Sequence, residues 1–142
     1  MIDFTITKTT TASIDSVFDR LTDHRAYKDM TPLRKSTLDR EGTPAPNGVG
    51  AVRRLGMVGP PQTEEVTVYE RPNKFAYKLL TGLPVKDHVG TVELAETGGH
   101  TTITYHVRST PTIPGGGLVL GPVLKKAIGD LLKGVIKAAE RA

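Results

Sequence analysis

From Leu118 to Arg141 the sequence LVLGPVLKKAIGDLLKGVIKAAER keeps apolar residues at 120, 123, 124, 127, 128, 131, 132, 135, 136 and 139. At 100° per residue these positions fill one continuous helical face, with the lysines opposite. No other segment sustains a helical period for so long, so whatever precedes it must pack on this face. The expected contacts run through Leu124, Ile128, Leu131 and Val135. Glycines stand inside the helix at 121, 129 and 134, although each costs about 0.5–1 kcal/mol relative to alanine. Gly121 projects onto the apolar face, and is expected to thin the helix over an internal space. Gly129 and Gly134 lie at the edges of that face, where close packing against a strand explains them equally well.

Upstream, residues 2–10 alternate, with Ile2, Phe4 and Ile6 on one side, and predict a strand. In TASIDSVFDRL, Ser13 is a helix N-cap and residues 14, 17, 18 and 21 form the stripe of a short amphipathic helix. A second short helix follows Asp23 and stops before Pro32. The period then changes to short β segments at about 34–40, 49–57, 63–71, 74–81, 86–96 and 101–110, split by Gly, Pro and Asn clusters such as EGTPAPNG, RPN and TGGH. These short connections imply antiparallel neighbours. The order β, two short helices, six strands and one long helix predicts an α+β chain: a seven-stranded antiparallel sheet whose apolar face only the last helix is long enough to cover.

At 142 residues, the chain is expected to be a single domain, 1–142. It has no cysteine, which excludes disulfides, thiol nucleophiles and thiolate metal sites. The N-terminus MIDFTITKTTTASID has no signal-peptide pattern and no apolar run is long enough to span a membrane, so the expected compartment is the cytoplasm. The net charge is +4, but the 19 Lys and Arg are spread among 15 acids. That distribution argues against a nucleic-acid partner and leaves at most weak contact of the basic helix with an anionic surface. Metal-ligand spacings, a nucleophile elbow, a phosphate loop and a nucleotide fingerprint are all missing, so neither metal nor cofactor is expected.

The strings LTDHRAYKDMTPL, GVGAVRRL, EEVTVYERPNKFAYKLLTGLPVKDHVGTVEL and PGGGLVLGPVLKKAI resemble the polyketide cyclase/dehydrase and START-related (SRPBCC) superfamily over nearly the whole chain. The resemblance implies a helix-grip fold, in which a curved seven-stranded antiparallel sheet wraps a C-terminal helix and encloses an apolar cavity. Its cyclases hold polyketide oxygens with pocket arginine and tyrosine, which Arg53, Tyr77 and Tyr105 match in residue type. The chain departs from the cyclase pattern in having no tryptophan and 5% aromatics, little surface for stacking a polyaromatic product.

Alternation then selects the residues that face such a cavity. Tyr77 shares a face with Phe75 and Leu79, and Tyr105 with Ile103 and Val107. Glu64 is in phase with Val66 and Val68, and His88 with Val92 and Leu94. AVRRLG permits either Arg53 or Arg54 to point inward. His24, at a helix start, and His100 and His106 are weaker candidates. The expected ligand-binding set is Arg53, Glu64, Tyr77, His88, Tyr105, Gly121 and Leu124. The expected function is binding or carriage of a small hydrophobic ligand (lipid, fatty acyl or polyketide-like) by a monomer or homodimer. The alternative is a cyclase, aromatase or dehydratase acting on an enolisable substrate, with His88 as its catalytic proton shuttle. A third class is an interaction protein whose basic helix meets a partner.

Overall fold

The computed structural model describes residues 1–56 and 60–141; the end of the expected strand 49–57 and residue 142 lie outside the described residues. The chain runs β1 (Ile2–Thr10), α1 (Ile14–Leu21), a 3-10 turn (His24–Ala26) leading into α2 (Tyr27–Met30), then β2 (Lys35–Arg40), β3 (Val52–Gly56), β4 (Gln62–Glu70), β5 (Lys74–Thr81), β6 (Val85–Thr97), β7 (His100–Pro111) and α3 (Gly116–Glu140). All seven strands form one antiparallel sheet in the order β1-β7-β6-β5-β4-β3-β2. Successive strands from β2 to β7 are neighbours, as their short connections require. The helical stretch after β1 carries the chain to the opposite edge, so the first strand pairs with the last. Register shifts in the β2–β3, β4–β5 and β6–β7 pairs accompany this wrap, since bulges bend a sheet. This is the helix-grip fold.

Ser13 accepts a hydrogen bond from the Ser16 amide at 3.1 Å and starts α1, whose Val17, Phe18 and Leu21 are buried. They meet Val92, Ile103 and Val107 of the sheet and Leu132 and Val135 of α3 in one core. Leu124, Ile128 and Val135 are buried as the helical period requires, but Leu132 takes the place expected of Leu131, which is only half-buried.

The helix glycines divide by role. At Gly134 a Cβ would collide with the Met30 carbonyl oxygen, so this glycine lets α2 approach α3. At Gly129 the space is open. Gly121, expected over the cavity, instead lies against β1: its Cβ would meet Ile2 Cγ1 at 3.9 Å. The reason is helical phase. Positions 121, 132 and 139 form one ridge, which packs inward; the cavity opens along the adjoining flank of 120, 124, 127 and 131, with Ile128 at the border of the two.

Candidate functional site

That flank roofs a cavity of about 710 Å³, floored by side chains from five consecutive strands, β3 to β7. Its volume lies within the roughly 300–1,000 Å³ usual for small-molecule sites. The roof is mainly apolar, with Leu120, Leu124, Ile128 and Leu131, and carries the Lys126–Asp130 ion pair at 3.0 Å; the floor gathers Arg53, Glu64, Tyr77, His88 and Tyr105. Of the residues expected there, only Gly121 does not line it. Arg53 points inward and Arg54 points out to Asp39, at 2.9 Å.

Arg53 and Glu64 are direct cross-strand partners on β3 and β4. Arg53 Nε donates to Glu64 Oε1 at 2.9 Å, and Nη2 stands 2.8 Å from the same oxygen. Both side chains are almost wholly buried, at 2% and 4% exposure, so the charges are compensated inside the protein rather than by solvent. Three rings surround the guanidinium, with Tyr77, Tyr27 and Phe75 centroids at 4.7, 5.1 and 5.5 Å from its central carbon. Burial alone would lower the arginine's pKa, but Glu64 and the Tyr27, Tyr105 and Tyr77 phenols outweigh it and hold it above its ordinary value.

Two residues of this assembly were not selected by sequence. His24 is fully buried beside Phe75; its Nδ1 accepts from Arg53 Nη1 at 3.3 Å and its Nε2 donates to the Asn47 carbonyl at 3.1 Å. This pairing requires the neutral Nε2–H tautomer. Burial, reinforced by the Arg53 charge, pushes the imidazole pKa down to about 3. Tyr27, whose hydroxyl donates to the Leu21 carbonyl, lays its ring on Arg53. Both come from a 3-10 turn and a four-residue helix, too short for a periodic signal.

The Tyr77 and Tyr105 hydroxyls are hydrogen-bonded at 2.5 Å. Their approach depends on Gly90, the β6 partner of Tyr77, because the tyrosine ring lies over it where any Cβ would intrude. Burial raises the pKa of both phenols, with Tyr105 and Glu64 adding to the shift of Tyr77. His88 Nδ1 shares a hydrogen bond with Ser109 Oγ at 3.0 Å, and burial lowers its pKa despite the opposing Glu64 charge. Asp87, at φ 52, faces outward, so no carboxylate from this strand orients the imidazole. Among the described residues no cluster of His, Cys, Asp or Glu has a metal-binding arrangement. Among them, too, no helix is long and apolar enough to cross a membrane.

Solved structures share this fold at low sequence identity. Norcoclaurine synthase from Thalictrum flavum, a point mutant in complex with a transition-state analogue, is 14% identical with a TM-score of 0.77, over 98% of this chain and 94% of that one. A START superfamily protein from Mycobacterium smegmatis is 19% identical with a TM-score of 0.71, over 99% and 95%. The di-domain ARO/CYC StfQ of the steffimycin biosynthetic pathway is 14% identical with a TM-score of 0.78; the alignment covers 99% of this chain and 51% of that one. Comparison with curated protein sequences found no match. The family model described as polyketide cyclase / dehydrase and lipid transport matches residues 1–141, and the chain belongs to that family.

Proposed function

We propose that the protein binds, and carries, a small hydrophobic molecule of lipid, fatty acyl or polyketide-like type in this cavity. The observation that supports it is the division of the walls: a mainly apolar roof over a floor that gathers an ion pair, two phenols and an imidazole. Affinity comes from burying apolar ligand surface, at about 25 cal/mol per Å². Arg53, Glu64, Tyr77, His88 and Tyr105 fix the polar end, and Leu124 contributes to the roof. On this reading the chain acts as one domain in the cytoplasm, as a monomer or homodimer, with at most weak contact to anionic surfaces through Lys125, Lys126 and Lys133.

A second reading has its own support. The two hydrogen-bonded phenols that line the cavity are placed to donate to a carbonyl oxygen that gains charge during enolisation, with His88 moving the proton. This is the cyclase, aromatase or dehydratase alternative, and the family description is compatible with it. Carriage is preferred because His88 has Ser109, not a carboxylate, at Nδ1.

Native mass spectrometry of freshly purified protein, followed by titration of the stripped protein with a neutral fluorescent probe such as N-phenyl-1-naphthylamine, tests the proposal. The expected result is saturable uptake at one site, with or without a co-purified small molecule. Absence of saturable uptake refutes cavity binding. Conversion of an added acyl or polyketide thioester mimic by the wild type decides for the enzyme.

A further inference from the structure

The floor of the cavity carries its own charge balance and its own count of protons. Arg53 is neutralised by Glu64 on the adjacent strand, through two contacts to one oxygen, Oε1. Oε2 makes no hydrogen bond among the described residues, yet no buried side-chain polar atom among them lacks a partner, so Oε2 is accessible from the cavity that Glu64 lines. A ligand carboxylate placed here would meet a carboxylate oxygen and a cation already compensated. It would also give up water in a site where an unpaired charge is costly.

The phenols count differently. Two hydroxyls carry two protons, and the Tyr77–Tyr105 hydrogen bond uses one. Neither hydroxyl makes another hydrogen bond among the described residues, so the second proton is available to an acceptor in the cavity that both side chains line. Both residues are buried, at 3% exposure. The pair therefore offers one O–H donor to the same cavity that Glu64 Oε2, an acceptor, lines.

From this we infer that the cavity selects ligands whose buried end is an uncharged oxygen, a ketone or ester carbonyl or a hydroxyl, and rejects the ionised carboxylate of a free fatty acid. The inference rests on the cavity-binding reading and adds the chemical class of the ligand's polar end. A carbonyl accepts the free phenolic proton; a hydroxyl does so and has a proton of its own for an acceptor in the cavity, such as Glu64.

The test is displacement of N-phenyl-1-naphthylamine from the stripped protein at pH 8 by three ligands of equal length: 2-decanone, 1-decanol and decanoate. Decanone and decanol should displace the probe at concentrations at least tenfold below decanoate. Equal or stronger displacement by decanoate overturns the inference and leaves cavity binding intact, whereas failure of the probe itself to bind refutes both. The proton count adds an independent arm, because either phenol alone still has one proton to give. Tyr77→Phe or Tyr105→Phe should weaken decanone binding no more than threefold, and the double Phe variant at least tenfold. A double variant that folds, by circular dichroism, and binds decanone as the wild type does overturns the donor assignment. Glu64→Gln removes the compensating charge and should narrow the decanone-to-decanoate ratio at least fivefold. An unchanged ratio in folded Glu64→Gln protein overturns the electrostatic argument; if that variant does not fold, the wild-type ligand comparison still decides.

Discussion

Gly90→Ala probes how the floor of the cavity is assembled. A Cβ at position 90 would stand 2.5 Å from both Cε1 and Oη of Tyr77, about 0.9 Å short of the 3.4 Å at which ordinary contact begins. The backbone does not oppose the change, since Gly90 is not among the glycines at positive φ. Elsewhere in a strand, the loss of glycine's excess chain entropy would make alanine the more stable residue. Here the ring has little freedom to retreat. Its hydroxyl is bonded to Tyr105 at 2.5 Å, Arg53 lies 4.7 Å from its centroid and Phe75 packs at 6.1 Å. The alanine must therefore displace the ring or open the β5–β6 pairing, an overpacking cost of about 1–3 kcal/mol. For a chain of this size that lowers Tm by about 3–10 °C. Urea denaturation of the wild type and Gly90→Ala, repeated in a Tyr77→Leu background, measures the coupling. The cost of alanine should fall to near zero once the ring is gone. An equal cost in both backgrounds, or none in the wild type, would mean that Gly90 does not make room for Tyr77 and would refute the reasoning.

Four further outcomes are expected. Leu132→Ala should destabilise by about 2–5 kcal/mol and Leu131→Ala by clearly less in the same denaturation assay, because only Leu132 lies in the closed core. Arg53→Met should cost about 3–5 kcal/mol by leaving Glu64 buried without its partner, and a loss below about 1 kcal/mol would deny the ion pair its buried character. His24 titrates at about 3 when folded against an ordinary 6.5, so its contribution is complete above about pH 6.5 and is lost as pH falls toward 3. The slope reaches about 1.4 kcal/mol per pH unit; His24→Gln, whose amide can still pair with Arg53 and Asn47, should flatten the stability profile between pH 6.5 and 4.5. His88→Gln should keep ligand affinity within about tenfold, since the amide still hydrogen-bonds, and a loss of about 10²–10⁴ in any product formation, measured by mass, would identify a proton shuttle.

Strand alternation alone placed Glu64, Tyr77, His88 and Tyr105 on the face that turns inward, because a strand with one buried side repeats every two residues whatever lies above it. The long helix and the turn clusters likewise carried the element order, and from it the layer arrangement. The choice between Arg53 and Arg54 was beyond that signal. Val52 and Leu55, of opposite parity, support either phase, and only the register that sets Arg53 opposite Glu64 decides it. His24 and Tyr27 were hidden for a different reason: a turn and a single helical revolution have no period to detect, and their burial depends on where the sheet's far edge brings Arg53. Gly121 shows the limit of the helical pattern itself. An apolar face this broad tells which side of α3 is dry, but which part of it touches β1 and which roofs the cavity depends on how the helix is rotated against the sheet, and that rotation is fixed by packing between elements far apart in the chain.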